Sequence, residues 1–296
     1  MVAHGSQEKK LFAGGSPLCA GCMASLGLKL ALQALGKNTI VVNTSGCLTL
    51  LSVYPNSPMR VPWIHVAIEN GGAVASGIYA AYKQIGKHVN ILVYAGDGAT
   101  YDIGLQSLSG AVERGDDFIY VCYNNQSFSN TGVQQSSATP FGASTKTTPP
   151  GKNNPMGNLF KQKSMAKIMA AHEIPYVATA TVAFPYDYMQ KLKKASAIHG
   201  PKFIDLLTPC PTGWGFDPGK GIEIGKLAVQ TGMWPLFEVE RGKFRLTHMP
   251  NKLRPVKDYL LRQKRFKHLK EKQINRIQEI VKDKWKKLLE GKFFEV

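Results

Sequence analysis

The sequence predicts an α/β protein with a doubly wound, mostly parallel sheet. Apolar runs of strand length alternate with segments of helical length through most of the 296 residues. Such alternation is typical of βαβ units, whose helices cover both faces of a parallel sheet. A second observation is that the polar turns Gly96-Asp97-Gly98 and Asn124-Asn125 each follow an apolar run directly. Ligands bind at the carboxyl ends of strands in such sheets, so the two turns mark a candidate site.

The individual elements follow from the length and composition of each run. Strands are predicted at 39–42, 91–94, 118–123, 176–182 and 203–207. Helices are predicted at 20–35, 72–84, 105–114, 164–172 and 186–199. Residues 126–160 interrupt the alternation, since they are rich in Ser, Thr, Asn, Gly and Pro. Loops this long inside a compact domain are usually functional or disordered. We expect an ordered loop that wraps a bound ligand.

The C-terminal part of the chain is strongly basic. From residue 251 on, fifteen Lys or Arg face six Asp or Glu, which accounts for +9 of the net charge of +17. The spacing over 264–289 predicts an amphipathic helix with an apolar face made of Ile274, Ile277, Ile280, Val281, Trp285 and Leu288. We therefore divide the chain into a main domain, 1–250, and a helical extension, 251–296. The extension suits docking to an acidic partner, and without a nucleic-acid motif we expect no nucleic acid.

Composition excludes a membrane-spanning protein. The apolar share is 44%, and no run of eighteen or more apolar residues occurs. The N-terminal stretch MVAHGSQEKK carries charge without a following apolar core, so it is not a signal peptide. We expect a cytoplasmic protein, in which disulfides are disfavoured.

The turns at 96–98 and 124–125 resemble the GDG…NN signature of thiamine diphosphate enzymes. A carboxylate and an amide oxygen suit Mg²⁺, which fills its octahedron with phosphate oxygens and water. The glycines that flank Asp97 let the backbone approach a diphosphate closely. A βαβ unit with ordinary polar turns is the alternative interpretation, and the strand–helix–strand context favours the cofactor motif.

Four of the five cysteines lie in loop-like settings and suit a metal site. Cys19 and Cys22 form a C-x-x-C, Cys47 follows the first predicted strand, and Cys210 lies between two prolines. Cys122 lies inside an apolar strand and is expected to be a buried thiol. Four thiolates suit either Zn²⁺ or a [4Fe–4S] cluster, and spacing alone does not separate the two. The neighbouring thiamine diphosphate motif favours the cluster, because a cluster can take up electrons that oxidative decarboxylation releases.

Over nearly its whole length the sequence resembles the beta subunit of 2-oxoacid:ferredoxin oxidoreductases, most closely the pyruvate type. The resemblance rests on CAGC at 19–22, SGC at 45–47, VPWIHVAIENGGAVASG at 61–77, GDGATYDIG at 96–104, NNQSFSNTGVQQSSATP at 124–140 and TPCPTGW at 208–214. It implies a sheet of the thiamine-diphosphate-binding type. It also implies oxidation of a 2-oxoacid, with pyruvate as the expected substrate, to acyl-CoA and CO₂, with electrons passed through a [4Fe–4S] cluster to ferredoxin.

The resemblance implies roles for individual residues. The cluster is expected on Cys19, Cys22, Cys47 and Cys210. Mg²⁺ is expected on Asp97, the Asn125 side chain and the Ser127 carbonyl oxygen, with Asn130 as a catalytic residue that faces the substrate. Cofactor contacts are expected at Gly96, Asp97, Gly98, Ala99, Asn125, Ser127, Cys47 and His65. For His65, a structural place at a sheet edge is an equal alternative.

The resemblance also implies partners. In this family the glutamate that activates the aminopyrimidine ring belongs to another domain, here carried by an alpha subunit. Gamma and ferredoxin-like delta subunits, ferredoxin, and coenzyme A as co-substrate complete the expected assembly.

Two departures and one rival function remain. Met23 replaces the glycine that usually follows the C-x-x-C, and the segment LLSVYPNSPMR at 50–60 departs from the aromatic-rich stretch of pyruvate enzymes. The 2-oxoacid therefore stays open among pyruvate, a branched-chain 2-oxoacid and oxalate. A non-catalytic Cys₄ zinc scaffold with a basic partner-binding tail is the alternative of another class, but such a scaffold has no need of GDG…NN.

Overall fold

The buried apolar runs form one eight-stranded sheet in the computed structural model of the chain, which describes residues 10–55 and 57–294. The strands are β1 (Thr39–Thr44), β2 (Trp63–Val66), β3 (Asn90–Gly96), β4 (Ile119–Asn124), β5 (Tyr176–Thr181), β6 (Lys202–Leu207), β7 (Leu236–Glu240) and β8 (Lys243–His248). Their order is β2-β1-β3-β4-β6-β5-β7-β8. The first six strands pair in parallel, and β7 and β8 form an antiparallel hairpin at one edge. The N-terminal stretch interpreted above as lacking a signal peptide lies, except for Lys10, outside the described residues.

Helices cover both faces of this sheet. They are α1 (Met23–Leu35), α2 (Gly71–Gln84), α3 (Leu105–Glu113), α4 (Met165–Ala171), α5 (Pro185–Ala197), α6 (Pro211–Trp214), α7 (Gly221–Gln230), α8 (Lys257–Leu260) and α9 (Glu271–Leu289). Successive side chains of β3 point to opposite faces, as the strand period of two requires. Val93 packs in the apolar cluster that contains residues of α2, α3 and α4, whereas Leu92 packs in the cluster of α1 and α5. The predicted doubly wound α/β fold is confirmed.

The five predicted strands are confirmed, with ends that differ by at most two residues. The sequence analysis missed β2, the β7–β8 hairpin and α7. Both edge strands that were missed are short or poorly buried. The strand β2 has four residues, and β8 has no buried residue. Such strands lack the continuous apolar run that marks a central parallel strand. The hairpin turn uses Arg241 and Gly242, which both have positive φ, as tight hairpin turns require.

The C-terminal extension differs from its prediction in two respects. The helix predicted over 264–289 begins only at Glu271, because Lys270 has an extended backbone with ψ of 168°. Ile277, Val281, Trp285 and Leu288 are buried, as predicted. Ile280 is 46% exposed, so its assignment to the apolar face was wrong. At 3.6 residues per turn, Ile280 falls outside the arc that the four buried side chains define. The boundary at residue 250 stays a prediction.

The loop at 126–160 contains no helix and no strand beyond an isolated bridge between Phe128 and Gln134, and all of its residues are described. Side-chain hydrogen bonds order it instead. Asn158 is 1% exposed, and its Nδ2 donates to the Thr139 carbonyl oxygen at 2.9 Å. In the part of the chain that the structure describes, no helix has the length and apolarity needed to cross a bilayer.

Candidate active site

Asp97 lies at the carboxyl end of β3, just before a π-helical turn, Gly98–Ile103, that leads into α3. Its carboxylate is fully buried. Oδ1 accepts a hydrogen bond from the Asn125 N–H at 3.2 Å, and Oδ2 accepts one from Ser136 Oγ at 2.5 Å. The side chain is therefore fixed both by the end of the neighbouring strand β4 and by the long loop. Single π turns inside helices are common at functional sites.

The hydrogen-bond partners of the Asp97 carboxylate are uncharged. Burial raises the pKa of Asp97 to about 7, against the hydrogen bond from Ser136, which lowers it. Among the described residues, no ion pair includes Asp97. A carboxylate buried without a cation is costly, and a bound metal ion would reverse the effect of burial on it.

Two further oxygen atoms, from the Asn125 amide and the Ser127 carbonyl, lie close to Asp97 Oδ1. The Asn125 amide oxygen lies 2.8 Å from the Ser127 carbonyl oxygen and 3.1 Å from Asp97 Oδ1. Adjacent ligands of a Mg²⁺ octahedron with bonds of 2.0–2.1 Å stand about 2.9 Å apart. Without an ion, the amide turned by 180° donates its NH₂ group to the same oxygens. The three predicted Mg²⁺ ligands are thus close together, and the two separations from the Asn125 amide oxygen match those of adjacent ligands of such an ion.

The glycines beside Asp97 have a packing role that the sequence did not indicate. A Cβ atom on Gly98 would lie 2.2 Å from the Phe128 ring, and one on Gly96 would lie 3.2 Å from the Tyr123 ring. Aromatic side chains of this chain therefore occupy the space next to both glycines. Ala99 follows, buried, in the π-helical turn.

The four loop cysteines border the same end of the sheet. Cys22 caps the start of α1, Cys47 begins a short 3₁₀ turn after β1, and Cys210 caps the start of α6. All five cysteines are free thiols. The pKa of Cys47 is raised to about 12, mainly by burial and also by the nearby thiols of Cys210, Cys22 and Cys19. The four thiols are therefore near enough to influence one another, whereas Cys122 is fully buried in β4, as predicted.

The spacing of these thiols does not suit a single metal ion. Among the described residues, no three His, Cys, Asp or Glu side chains are close enough to hold one. A tetrahedral Zn²⁺ site with Zn–S bonds of 2.3 Å brings its sulfurs to about 3.8 Å from one another. A [4Fe–4S] cluster is a larger body and keeps its four thiolates farther apart.

The cysteine region and the Asp97 region adjoin. Asp97 is among the groups that raise the pKa of Cys47. The Ser129 hydroxyl donates to the Asn125 amide oxygen at 2.8 Å, and it is also close enough to the Cys210 thiol to lower the pKa of that thiol. Ser129 is therefore a direct link between the predicted magnesium ligands and the predicted cluster ligands.

Three buried hydroxyl groups at this edge have no hydrogen-bond partner. They belong to Thr44 at the end of β1, Tyr123 near the end of β4 and Thr208 directly after β6. Leaving a buried polar group unpaired costs about 1–3 kcal/mol. Such a group is expected where a polar ligand completes the site. The sequence analysis assigned no role to these three residues, although Thr208 opens the TPCPTGW stretch.

Asn130 and His65 lie at the margins of the site. Asn130 is exposed in the loop, next to Ser129. His65 is exposed on the edge strand β2, where its Nδ1 lies 3.2 Å from Asn43 Oδ1 and its Nε2 lies 3.3 Å from Ser45 Oγ. His65 is thus tied to the segment that leads into Cys47.

Two further side chains, which were absent from the predicted site, pack behind Asn125. Trp214 donates from its indole N–H to the Asn125 carbonyl oxygen at 2.7 Å. The guanidinium of Arg265 lies 3.7 Å from the centre of a Trp214 ring. Trp214 lies in the TPCPTGW stretch and was within reach of sequence reasoning. Arg265 had no signal, being one of fifteen basic residues of the extension.

The fold and the ligand cluster at the ends of β3 and β4 define the class of thiamine-diphosphate-binding proteins. Residues 44–206 match the family described as "Thiamine pyrophosphate enzyme, C-terminal TPP binding domain". Pyruvate synthase subunit PorB of Methanothermobacter thermautotrophicus is 53% identical over 276 residues, which cover 93% of this chain and 96% of that protein. Ketoisovalerate oxidoreductase subunit VorB of Pyrococcus abyssi is 46% identical over 95% of this chain and 93% of its own length. The chain belongs to the family of beta subunits of 2-oxoacid:ferredoxin oxidoreductases.

A solved structure supports the fold. The 2-oxoglutarate:ferredoxin oxidoreductase from Magnetococcus marinus, with 2-oxoglutarate, coenzyme A and succinyl-CoA bound, matches with a TM-score of 0.58 at 19% identity. The match covers 75% of this chain and 82% of that one.

Proposed function

We propose that this chain is the catalytic beta subunit of an enzyme that oxidises pyruvate to acetyl-CoA and CO₂ and passes the electrons to ferredoxin. The observation that carries the proposal is the convergence of Asp97, Asn125 and the Ser127 carbonyl oxygen directly beside four free cysteines. A metal–diphosphate site next to a thiolate set is what a thiamine-diphosphate enzyme with an attached electron carrier needs.

Mg²⁺ would be held by Asp97, the Asn125 amide oxygen and the Ser127 carbonyl oxygen. Their separations of 2.8 and 3.1 Å support this ligand set. The diphosphate would supply the remaining negative oxygens, since Mg²⁺ is usually bound by one or two carboxylates plus phosphate. The buried hydroxyls of Thr44 and Tyr123, which lack partners, support a polar ligand at this edge.

A [4Fe–4S] cluster would be held by Cys19, Cys22, Cys47 and Cys210. The effect of these thiols on the pKa of Cys47 supports one shared site. The zinc-scaffold alternative also leaves the oxygen ligands at Asp97 without a role.

Thiamine diphosphate, when bound, supplies a nucleophilic carbon that makes decarboxylation of a 2-oxoacid feasible, and the cluster accepts electrons one at a time. The residues of this chain would anchor the cofactor and orient the substrate. Asp97 holds the ion and thereby the diphosphate. Asn130, exposed beside Ser129, is free to donate from its amide to the oxygen of the substrate carbonyl as negative charge grows there. His65, tied to Asn43 and Ser45, orients the chain that leads into Cys47.

A partner subunit completes the active site. Thiamine diphosphate needs a carboxylate against its aminopyrimidine ring, and this chain carries only the diphosphate half. An alpha subunit would provide that glutamate, with gamma and delta subunits in the same complex. The strand β2 lies at an edge of the sheet, and its Ile64 is 38% exposed. This edge therefore leaves room for a partner subunit to pack against the chain.

Pyruvate is the preferred substrate because four pyruvate synthase relatives are 49–53% identical, against 45–46% for the ketoisovalerate relatives, although a further pyruvate synthase relative is 42% identical. All of these values are high, so a branched-chain 2-oxoacid is the runner-up. The acyl acceptor is coenzyme A, which the solved relative binds.

The test is an anaerobic assay of the assembled complex with a panel of 2-oxoacids, coenzyme A and ferredoxin. We expect turnover that requires thiamine diphosphate and is highest with pyruvate. Iron analysis of two variants adds a matched comparison: Cys210→Ser should lose the cluster, whereas Cys122→Ser should keep it. Stoichiometric zinc without iron, or no turnover with any 2-oxoacid, would contradict the proposal.

A further inference from the structure

One side chain of the basic extension reaches into the site. Arg265 lies on a short 3₁₀ turn, Lys264–Phe266, and is only 6% exposed. Its Nη2 donates to Gln126 Oε1 at 2.7 Å, and its Nε donates to Gln263 Oε1 at 2.8 Å. Its guanidinium plane lies 3.7 Å from the centre of a Trp214 ring. The other arginines of the extension do not have this burial: Arg262, three residues earlier, is 63% exposed.

The charge of Arg265 has no carboxylate partner. None of the ion pairs among the described residues includes it. Burial lowers its pKa to about 10, against Tyr259, Cys210 and Asp97, which raise it, so the guanidinium stays charged at neutral pH. A buried charge without a countercharge is costly and is retained where it has a task. An anionic ligand at Asp97 and Cys210 would lower that cost.

The task follows from what Arg265 contacts. Gln126 lies between the two proposed magnesium ligands Asn125 and Ser127, and it has a φ of +64°. The left-handed region costs a residue with a Cβ roughly 1–2 kcal/mol. In this conformation, the Ser127 carbonyl oxygen lies 2.8 Å from the Asn125 amide oxygen. The conformation that costs energy is therefore also the one that gathers the ligands.

Two arms hold this turn. The Gln126 side chain is bound directly by Arg265. The Asn125 carbonyl oxygen is bound by the indole N–H of Trp214 at 2.7 Å, and Arg265 stacks on that same indole. Arg265 thus holds the turn 125–127 at two points: directly at the Gln126 side chain and, through Trp214, at the Asn125 backbone carbonyl.

We propose that Arg265 is a positioning residue that holds the turn 125–127 in its left-handed, cation-ligating conformation. The inference rests on the proposed function, since it assumes a divalent ion and a diphosphate at Asp97. It assigns one residue of the basic extension to the active site, while the exposed lysines and arginines of that extension serve other purposes.

The test uses calorimetric titration of thiamine diphosphate with Mn²⁺ into the full chain in its complex. Arg265→Met should weaken binding about 10-fold to 100-fold, because it removes hydrogen bonds from a charged donor. Arg265→Lys keeps the charge but cannot both stack and donate in two directions, so it should fall between Arg265→Met and the wild type. Arg262→Met is the matched control and should bind like the wild type.

A second pair of variants separates positioning from general loosening of the fold. Glycine adopts a positive φ without strain. Gln126→Gly should therefore recover about 5-fold of the affinity lost in Arg265→Met when the two are combined. Thermal unfolding of each variant separates a change at the turn from a loss of overall stability.

Three results would overturn the inference. One is binding to Arg265→Met within 2-fold of the wild type. Another is a double variant no better than Arg265→Met. The third is equal losses in Arg262→Met and Arg265→Met. A wild-type complex that binds no thiamine diphosphate would overturn the proposed function itself, and this inference with it.

Discussion

Two buried carboxylates of this protein differ in whether cationic side chains bind them. Glu238 on β7 is 4% exposed, and Lys194, Arg245 and the Tyr176 hydroxyl all bind it. Despite its burial, the hydrogen bonds from Lys194, Arg245 and Tyr176 lower the pKa of Glu238 to about 2. Asp97 is at least as buried, yet its contacts are an N–H and a hydroxyl, and burial raises its pKa to about 7. The chain supplies the cations for Glu238, so that region is structural. Asp97 forms no ion pair among the described residues, and we propose that a bound cation completes that region.

The largest expected effect is on cofactor binding. Asp97→Asn keeps the shape of the side chain but removes the only carboxylate of the proposed ligand set. We expect thiamine diphosphate affinity in the presence of Mg²⁺ to fall by about 100-fold or more, since the charge of the ion dominates such a site. Glu238→Gln is the matched control and should leave affinity unchanged. Calorimetry on both variants measures the difference, and equal losses would remove the distinction between the two regions.

The next effect concerns turnover. The Asn130 side chain is exposed beside the proposed site and is accessible to a substrate. The polar side chains around Glu238, in contrast, are hydrogen-bonded to Glu238 itself. Asn130→Ala should retain the cofactors but lose about 10²–10³ in kcat, the usual result of removing one donor to a developing oxyanion. Steady-state kinetics with the 2-oxoacid measure it. A normal kcat would mean that Asn130 only shapes the loop.

A third effect appears in the pH dependence of stability. The pKa of Glu238 is lowered from roughly 4.3 in the unfolded chain. Its contribution to the free energy of unfolding is therefore present above that value and is lost as the pH falls toward about 2. Between pH 5 and pH 3, the wild type should lose about 1–2 kcal/mol more than Glu238→Gln, after allowance for the exposed Lys194 and Arg245. Denaturant unfolding at both pH values measures this, and parallel losses in the two proteins would contradict it.

The smallest effect belongs to Asn125. Its amide oxygen is a neutral ligand, so Asn125→Ala should weaken binding by about 10-fold, close to the net value of one polar interaction. The same titration as for Asp97→Asn measures it. A loss larger than that of Asp97→Asn would mean that the amide, and not the carboxylate, is the main anchor.

The sequence predicted those parts of the site that depend on strand order. Asp97 and Asn125 each follow a buried central strand, and parallel register then brings them together. Ser136 and Arg265 were not predictable in this way. Their contacts with the site join residues 39 and 139 positions apart, through a loop and an extension whose paths no local pattern encodes.

The same reasoning explains the rest of the fold. The five central strands are continuous apolar runs, which is the strongest local signal. β2 and β8 lie at edges, where one side of the strand faces solvent or a partner and the apolar run is broken. The exposed Ile280 shows the limit of counting i+3 neighbours, because it lies three residues after Ile277 yet outside the arc of the four buried side chains.

The most direct measurement of the central claim is electron–nuclear double resonance of Mn²⁺ substituted for Mg²⁺ in the assembled complex, with thiamine diphosphate present. We predict a bound Mn²⁺ with clear coupling to ³¹P in the wild type and in Glu238→Gln, and no bound signal in Asp97→Asn. Mn²⁺ bound without phosphorus coupling, or an unchanged spectrum in Asp97→Asn, would contradict the account of Asp97 as the anchor of a metal–diphosphate site.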